Sequence, residues 1–197
     1  MEGGTCVDYF QRNAAADPLH ILVQIADALH YLHSREPPII HGFVRASSVL
    51  VSVTDVAYLG NFDFQPLQDP ERNFDDSRLD DAGRWTAPEQ GISRHHSTKT
   101  DVFAFAMLAY ELYSGCIPYY DIPERALPQG TMSVWETIAT NGRPRRPQHL
   151  SLSDDLWALI EHCWDQTPAA RPSMRTVAQD LRNLLYVRSS DNRLTSS

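Results

Sequence analysis

The segment Ile39-Ile40-His41-Gly42-Phe43-Val44-Arg45-Ala46-Ser47-Ser48-Val49-Leu50 carries the strongest indication of the fold of this chain. It sets one histidine between two short apolar runs and follows it with a phenylalanine, an arginine and a serine. Alone, such a run is weak evidence, because a histidine flanked by isoleucine and valine is most often packed in a core. Whether this run indicates a particular fold depends on which motifs follow it in the sequence, and in what order.

Four further motifs follow along the chain. They are Gly60-Asn61-Phe62-Asp63, Arg84-Trp85-Thr86-Ala87-Pro88-Glu89, Thr100-Asp101-Val102-Phe103-Ala104-Phe105-Ala106, and the run from Cys163-Trp164 to Arg171-Pro172. Together the five resemble, in order, the catalytic loop, the Asp-Phe-Gly motif, the Ala-Pro-Glu motif, the start of the central helix and the Cys-Trp to Arg-Pro motif of eukaryotic protein kinases. The last motif is similar to that of tyrosine kinases and their tyrosine-kinase-like relatives. The implied fold is mainly α, a kinase-like C-terminal lobe with a small β-hairpin at the cleft floor.

The same resemblance implies that the catalytic loop is degenerate. The family sequence His-Arg-Asp-Leu-Lys-x-x-Asn is matched by His41, Gly42 for Arg, Phe43 for the catalytic Asp, Arg45 for Lys and Ser48 for the metal-binding Asn. In that family the Asp accepts the proton of the substrate hydroxyl and the Asn holds magnesium. A phenyl ring accepts no proton, and a neutral hydroxyl is a poor ligand for a hard cation.

The magnesium-binding Asp-Phe-Gly motif admits two alignments. The favoured one places Asn61 at the Asp, because it needs no insertion in the preceding hairpin. The other places Asp63 there and leaves one carboxylate as a possible residual catalytic group.

The positions that are kept are structural in the family. Glu89 and Arg171 are expected to form a buried ion pair, and Asp101 is expected to hold the backbone of the catalytic loop. The full set of retained motif residues is His41, Ala87, Pro88, Glu89, Asp101, Trp164 and Arg171.

The sequence contains no counterpart of the residues that bind ATP in kinases. The single lysine, Lys99, follows Ala-Pro-Glu, and no glycine-rich G-x-G-x-x-G occurs. The first ten residues resemble the connection between the two lobes, so the small lobe is expected to be absent. Residues 1–187 are predicted to form the kinase-like domain and residues 188–197 a polar, frayed tail.

Local patterns predict the elements around these motifs. Asp17-Pro18 starts a helix with Leu22, Ile25, Leu29 and Leu32 on one face. Valines at 49, 51 and 53 and the return from Val56 to Leu59 predict a hairpin. The stretch from Val102 to Leu112 is apolar on all faces, which is typical of a buried helix. Helices are also predicted after Ser153 and Ser173, and a solvated loop at Arg143, Arg145 and Arg146, which could alternatively receive an acidic segment.

Composition limits the classes of function. A net charge of −8 argues against nucleic acid or an anionic membrane as partner. Three dispersed cysteines favour neither a disulfide framework nor a zinc site, and the apolar runs are too short for a membrane helix. We therefore expect an intracellular, cytoplasmic soluble protein with no metal and no cofactor.

Three functions stay open from the sequence. The favoured one is a catalytically inactive, pseudokinase-like module that binds or regulates a protein. The others are a truncated remnant of a longer kinase-like protein and an unorthodox ATP- and magnesium-dependent protein kinase using Asp63 and Arg45. If the small lobe is absent, the inter-lobe face near Phe43, Phe62 and the first helix is expected to be covered by a protein partner or a second copy.

Overall fold

The predicted mainly helical fold with one small hairpin is confirmed by the computed structural model, which describes residues 4–62, 83–93, 96–123 and 132–194. The elements in this part of the chain are α1 (Cys6–Arg12), α2 (Pro18–His33), β1 (Val49–Val51), β2 (Ala57–Leu59), α3 (Gln90–Ser93), α4 (Thr98–Ser114), α5 (Val134–Ala139), α6 (Asp154–Cys163) and α7 (Met174–Leu194). Short 3-10 turns cover Ala46–Ser48, Gly83–Trp85 and Pro168–Ala170.

Helix α4 lies at the centre of the fold and is buried around its circumference. Every residue from Thr100 to Tyr110 is buried, as the unbroken apolar pattern predicts. Gly115, with φ of 69°, ends the helix in the left-handed conformation that glycine adopts without strain. Helices α2, α6 and several loops pack around α4, so it can position side chains toward two sides of the molecule.

Capping side chains fix where the helices begin. Thr5, Ser97 and Ser133 each accept a hydrogen bond from the backbone N–H three residues on, and the residue at that position bonds back to the cap. Asp17 accepts from Leu19 N at 3.0 Å, with Pro18 as the first helical residue. These bonds satisfy amides that a helix leaves without internal partners.

The hairpin forms with Val49 opposite Leu59 and Val51 opposite Ala57. Val49 and Val51 are buried, whereas Leu50 and Tyr58 form an outward-facing pair. The predicted first strand is one alternation too long, because Val53 lies in the turn and is exposed. Gln24 of α2 accepts from Ala57 N at 2.8 Å, which protects the outer edge of β2.

Helix α7 packs along α2 and extends further than predicted. The frayed tail expected from residue 188 is instead helical through Leu194. The reason is a tertiary contact: the Arg188 guanidinium donates to Asp17 Oδ2 and to Ser151 O, each at 2.5 Å. The assignment of residues 1–187 to one domain stays a prediction.

The solvated loop predicted at Arg143, Arg145 and Arg146 is confirmed only in part, because Arg143 bonds inward. Arg143 donates to Trp164 O at 2.9 Å and to Gln166 Oε1 at 2.6 Å, and its guanidinium lies over the Phe103 ring. Burial lowers the pKa of Arg143. Arg145 and Arg146 are exposed, as predicted, and Arg146 also forms a surface ion pair with Asp154 at 2.7 Å.

Candidate functional site

The loop between α2 and β1 is held by Asp101 of helix α4. Asp101 is 1% exposed, and its two carboxylate oxygens accept the backbone N–H groups of His41 and Gly42, each at 2.9 Å. His33, at the end of α2, contacts Asp101 Oδ2 through Nε2 at 2.8 Å. Gly42 has φ of 76°, which suits glycine. One buried carboxylate therefore fixes the backbone of residues 41 and 42.

His41 is fully buried beneath this loop and connects it to the hairpin. Its Nδ1 accepts from Phe43 N at 3.2 Å, so Nε2 carries the proton and donates to Gly60 O at 2.9 Å. The Phe62 ring lies 4.5 Å from the imidazole, centroid to centroid. His41 thus acts as a packed and hydrogen-bonded structural residue.

Phe43 occupies the position that the resemblance assigns to the catalytic base. The guanidinium of Arg45 lies over its ring at 3.9 Å from the centroid, and it is also 5.6 Å from the Trp85 ring. These distances are those of cation–π contacts. An apolar ring and a cation therefore stand where a kinase would hold an acceptor for the substrate proton.

Glu111 supports this arrangement and was missed by the sequence reasoning. Its Oε2 accepts from Trp85 Nε1 at 3.1 Å and from Ala46 N at 3.0 Å. It is the single acidic residue within the apolar run that predicts α4, and that exception was a usable signal. A buried or half-buried acid in an apolar helix requires partners.

Ser48 and Asn61 come close through the hairpin, because Gly60 N donates to Ser48 O at 2.8 Å. Ser48 is fully buried, and its hydroxyl has no hydrogen-bond partner among the described residues. Asn61 is exposed, with φ of 55°, and its amide lies 3.4 Å from Ser47 O. Neither side chain carries a carboxylate. Asp63, the alternative, lies outside the described residues.

The ion pair between Glu89 and Arg171 is bidentate. Nη1 donates to Oε1 at 2.7 Å and Nη2 to Oε2 at 2.8 Å. Arg171 also donates to Asp165 O and Lys99 O, so its buried charge is fully bonded. Ala87 and Pro88 are buried beside this pair and fix the segment before α3.

Trp164 and Lys99 complete this part of the scaffold. Trp164 is buried and packs edge-on against Trp157 at 5.2 Å between centroids. The ammonium of Lys99 donates to the carbonyls of Arg171 and Pro172. The single lysine therefore tethers the start of α4 to the segment before α7.

Arg84 is a second residue that the sequence reasoning missed. It is buried and donates to Pro118 O at 3.0 Å, Tyr119 O at 2.5 Å and Ile122 O at 3.2 Å. It thereby joins the segment before Ala-Pro-Glu to the loop after α4. No local signal marks it, because its acceptors are backbone carbonyls far along the chain.

No group of three or more His, Cys, Asp or Glu side chains in the described part of the chain is placed to hold a metal ion. None of its helices combines the length and apolar character required to cross a bilayer.

The fold and this site define a kinase domain, and comparisons with known proteins agree. The family model described as protein tyrosine and serine/threonine kinase matches residues 1–181. The chain belongs to the protein kinase family. It is 30% identical over 82% of its length to a probable serine/threonine-protein kinase of Dictyostelium discoideum, and 27% identical over 88% to the tyrosine-protein kinase Src64B of Drosophila melanogaster.

A third relative is a light-sensor protein kinase of Ceratodon purpureus, 28% identical over 85% of the chain. The matched regions cover only 17%, 31% and 14% of the Dictyostelium, Drosophila and Ceratodon proteins. What the relatives share with this chain is therefore the domain rather than the whole protein.

Proposed function

We propose that this kinase-family chain does not transfer phosphate and acts as a protein-binding or regulatory module. The observation that carries the proposal is the ring of Phe43 packed under the guanidinium of Arg45 at 3.9 Å. Transfer to a hydroxyl requires a group that accepts its proton within hydrogen-bond reach. Phe43 supplies none, and Arg45 is a cation that cannot act as a base at neutral pH.

The metal positions support the same proposal. Magnesium prefers several oxygen ligands in octahedral geometry, with carboxylates supplying charge. The described candidates are a buried serine hydroxyl at Ser48 and an exposed amide at Asn61. This donor set does not fit a divalent cation with bound triphosphate, so no reaction step is assigned to either residue.

The first prediction concerns turnover. Incubated with labelled ATP and magnesium, the wild-type chain should give no incorporation above a heat-denatured sample. Restoring the family groups through the triple change Phe43→Asp, Ser48→Asn and Asn61→Asp tests whether those three positions limit activity. Phe43→Leu is the matched control for the loss of the ring.

The competing enzyme function predicts a different result in the same assay. Wild-type incorporation that falls on Asp63→Ala would assign phosphotransfer to the chain and overturn the proposal. Equal background from wild type and Asp63→Ala would support it. Asp63 lies outside the described residues, so this pair of proteins is the direct test of its role.

We propose that the partner binds the outward-facing side of the hairpin together with the adjacent part of α1. Tyr58 is 44% exposed opposite Leu50, and Val7 is 38% exposed in the helix that begins next to Leu50. Phe43 and Phe62, expected on this face, are half-buried rather than fully exposed. Their rings contact Arg45 and His41, which leaves the hairpin and α1 as the more accessible apolar surface.

The second prediction tests this surface. If it is covered by a second copy, the chain should self-associate at high concentration, and Tyr58→Ser with Val7→Ser should shift it to the monomer. Light scattering after size-exclusion chromatography measures the mass. Tyr186→Ser, which removes an exposed tyrosine from α7, is the control and should leave association unchanged. A wild-type monomer that binds no hydrophobic dye would contradict the proposed surface.

A further inference from the structure

Helix α5 ends in a turn at Asn141 and Gly142 whose geometry restricts both residues. Asn141 has φ of 66°, and the amides of Asn141 and Gly142 donate to Ile138 O at 3.1 Å and to Thr137 O at 2.7 Å. These bonds are those of a Schellman motif, in which glycine or asparagine occupies the left-handed position. A Cβ on Gly142 would lie 2.4 Å from Thr137 Cγ2 and 2.8 Å from Thr137 O, so the turn requires glycine there.

Asparagine followed by glycine is the dipeptide that loses its side-chain amide most readily, because glycine has no side chain to hinder its backbone nitrogen. Of the six asparagines in the chain, Asn141 is the only one that glycine follows. Its side chain is exposed and forms no hydrogen bond within the part of the chain that the structure describes. The requirements of the turn have therefore placed a chemically reactive pair on the surface.

The turn also connects three parts of the fold. Gly142 O accepts from Tyr119 Oη at 3.2 Å and from Arg143 Nη1 at 2.8 Å. Arg143 Nε donates in addition to Trp164 O, the residue that ends α6, at 2.9 Å. A change in the backbone at Gly142 would therefore be transmitted to the loop after α4 and to the end of α6.

We infer that Asn141 is a site of spontaneous covalent modification, and that the product separates α5 from the end of α6. The Gly142 nitrogen loses its proton to water or hydroxide and attacks Asn141 Cγ, the Cγ–Nδ2 bond breaks, and ammonia leaves. Water then opens the cyclic imide at either of its carbonyls. Opening at Cγ gives aspartate, whereas opening at the backbone carbonyl gives isoaspartate, in which the chain runs through Cγ. The net reaction consumes water and releases ammonia, with no oxidant or reductant.

The closed turn opposes this reaction. The Gly142 N–H is engaged with Thr137 O at 2.7 Å, and the Gly142 carbonyl is held by two donors. The nitrogen can attack only when these bonds open, so the rate of modification is set by local opening of the turn.

The product cannot restore the turn. Isoaspartate adds a methylene group to the backbone, so the amides and carbonyl of the Schellman motif no longer meet their partners in the same register. The new carboxylate also stands in a cleft of about 290 Å³ that Glu161, Asp165 and Arg143 line. There it is repelled by two acids and competes with the carbonyls for the Arg143 guanidinium. Modification thus acts as an irreversible release of α5.

Ageing of the full chain at mildly alkaline pH tests the site. Isoaspartate is detected by methyl transfer from isoaspartyl methyltransferase, and its position by peptide mapping with mass spectrometry. The methyl label should accumulate in the peptide containing Asn141, ahead of the peptides containing the other asparagines. Asn141→Gly keeps the left-handed turn without strain and should abolish that label. An absence of label, or label unchanged in Asn141→Gly, would overturn the site.

Control by the turn is tested through the rate. Modification in urea should be at least about tenfold faster than in the folded chain, because a closed turn is open only a small fraction of the time. Tyr119→Phe should raise the folded rate about fivefold, the effect of removing one ordinary hydrogen bond from the closed turn. Tyr186→Phe, at an exposed tyrosine of α7, should leave it unchanged. Equal rates in urea and buffer would overturn this control, and a folded chain that stays unmodified while the unfolded chain is fully converted would overturn the site.

The release of α5 is tested by hydrogen exchange on the isoaspartyl fraction, which anion-exchange chromatography separates by its added negative charge. Asn141→Asp is the matched control, because it carries the same charge on an unaltered backbone. The amides of residues 140–142 donate to Glu136, Ile138 and Thr137, and they should lose protection in the isoaspartyl chain but keep it in Asn141→Asp. Equal protection in the two proteins would overturn the release. None of these outcomes depends on whether the chain transfers phosphate.

Discussion

A guanidinium is tolerated in a protein interior only where its donors all meet acceptors. Arg171 satisfies this requirement with the Glu89 carboxylate and two backbone carbonyls, and the guanidinium lies 5.0 Å from the centroid of the Phe103 ring. The same chain places Arg45 over Phe43, where a kinase needs an acceptor for a proton. The buried guanidinium of Arg171 is thus fully bonded, whereas Phe43 presents an apolar ring beneath the guanidinium of Arg45.

The third prediction belongs to this scale. Arg171→Met should lower the free energy of unfolding by about 3–5 kcal/mol, because Glu89 and two carbonyls lose their donor. Urea denaturation followed by circular dichroism measures the change. Arg182→Met is the matched control: Arg182 pairs with Asp27 on the surface, both half exposed, and its loss should cost less than about 1 kcal/mol. Equal losses for the two variants would contradict the assigned burial energetics.

Helix α4 is the element on which the site depends. It supplies Asp101 to the loop backbone and Glu111 to Ala46 and Trp85, at opposite ends of its length. A small rotation or shift of α4 would therefore move both contacts together. Its start is fixed by Ser97 and Thr100, whose side chains bond each other's backbone N–H groups at 3.3 and 2.9 Å.

The fourth prediction tests that cap. Ser97→Ala should cost about 1 kcal/mol of unfolding free energy, the usual effect of removing an N-cap hydroxyl. Ser47→Ala, at an exposed serine of the catalytic-loop segment, should stay within about 0.5 kcal/mol of wild type. Thermal and urea unfolding of the three proteins measure both values. If the two serines proved equivalent, the cap would not be what fixes the start of α4.

On the scale of the whole molecule, burial perturbs several weak acids in the same direction. Burial, with a smaller contribution from the charge of Glu111, raises the pKa of Cys6 from 9.0 to about 12. Burial also raises the pKa values of Tyr113 and Tyr119 above their usual value of 10.0. Between the unfolded and folded pKa values, the unfolded chain loses protons that the folded chain retains. The contribution of these buried groups to the free energy of unfolding is therefore fully present below about pH 9, and it declines as pH rises above that value.

The fifth prediction follows from this sign. Unfolding free energy should fall above about pH 9, with a slope of about 1.4 kcal/mol per pH unit for each proton retained. Cys6→Ala should make the slope between pH 10 and 11 shallower by about one proton, because that range lies between the unfolded and folded pKa values of the thiol. Cys116→Ala, at an exposed cysteine, should leave the slope unchanged. Urea titrations at a series of pH values measure the slopes, and a rise in stability above pH 9 would contradict the assignment.

The sequence by itself determined the family, the class of fold and the main elements. Helical periodicity in α2, the all-apolar run of α4 and the alternating valines of β1 are local patterns, and local patterns follow directly from backbone geometry and burial. The ordered motifs also predict that Phe43, Arg45, Ser48 and Asn61 stand at degenerate catalytic positions, and this stays a prediction.

Only the tertiary structure decided the partners of the charged side chains. Arg143, expected in a solvated loop, bonds inward to Trp164 O, and Arg188, expected in a frayed tail, reaches Asp17 and extends α7. The cleft beside Asn141 likewise combines the ends of two helices that are distant in sequence. The physical reason is that periodicity and capping act over a few residues, whereas an ion pair or cavity depends on segments brought together only when the core has packed.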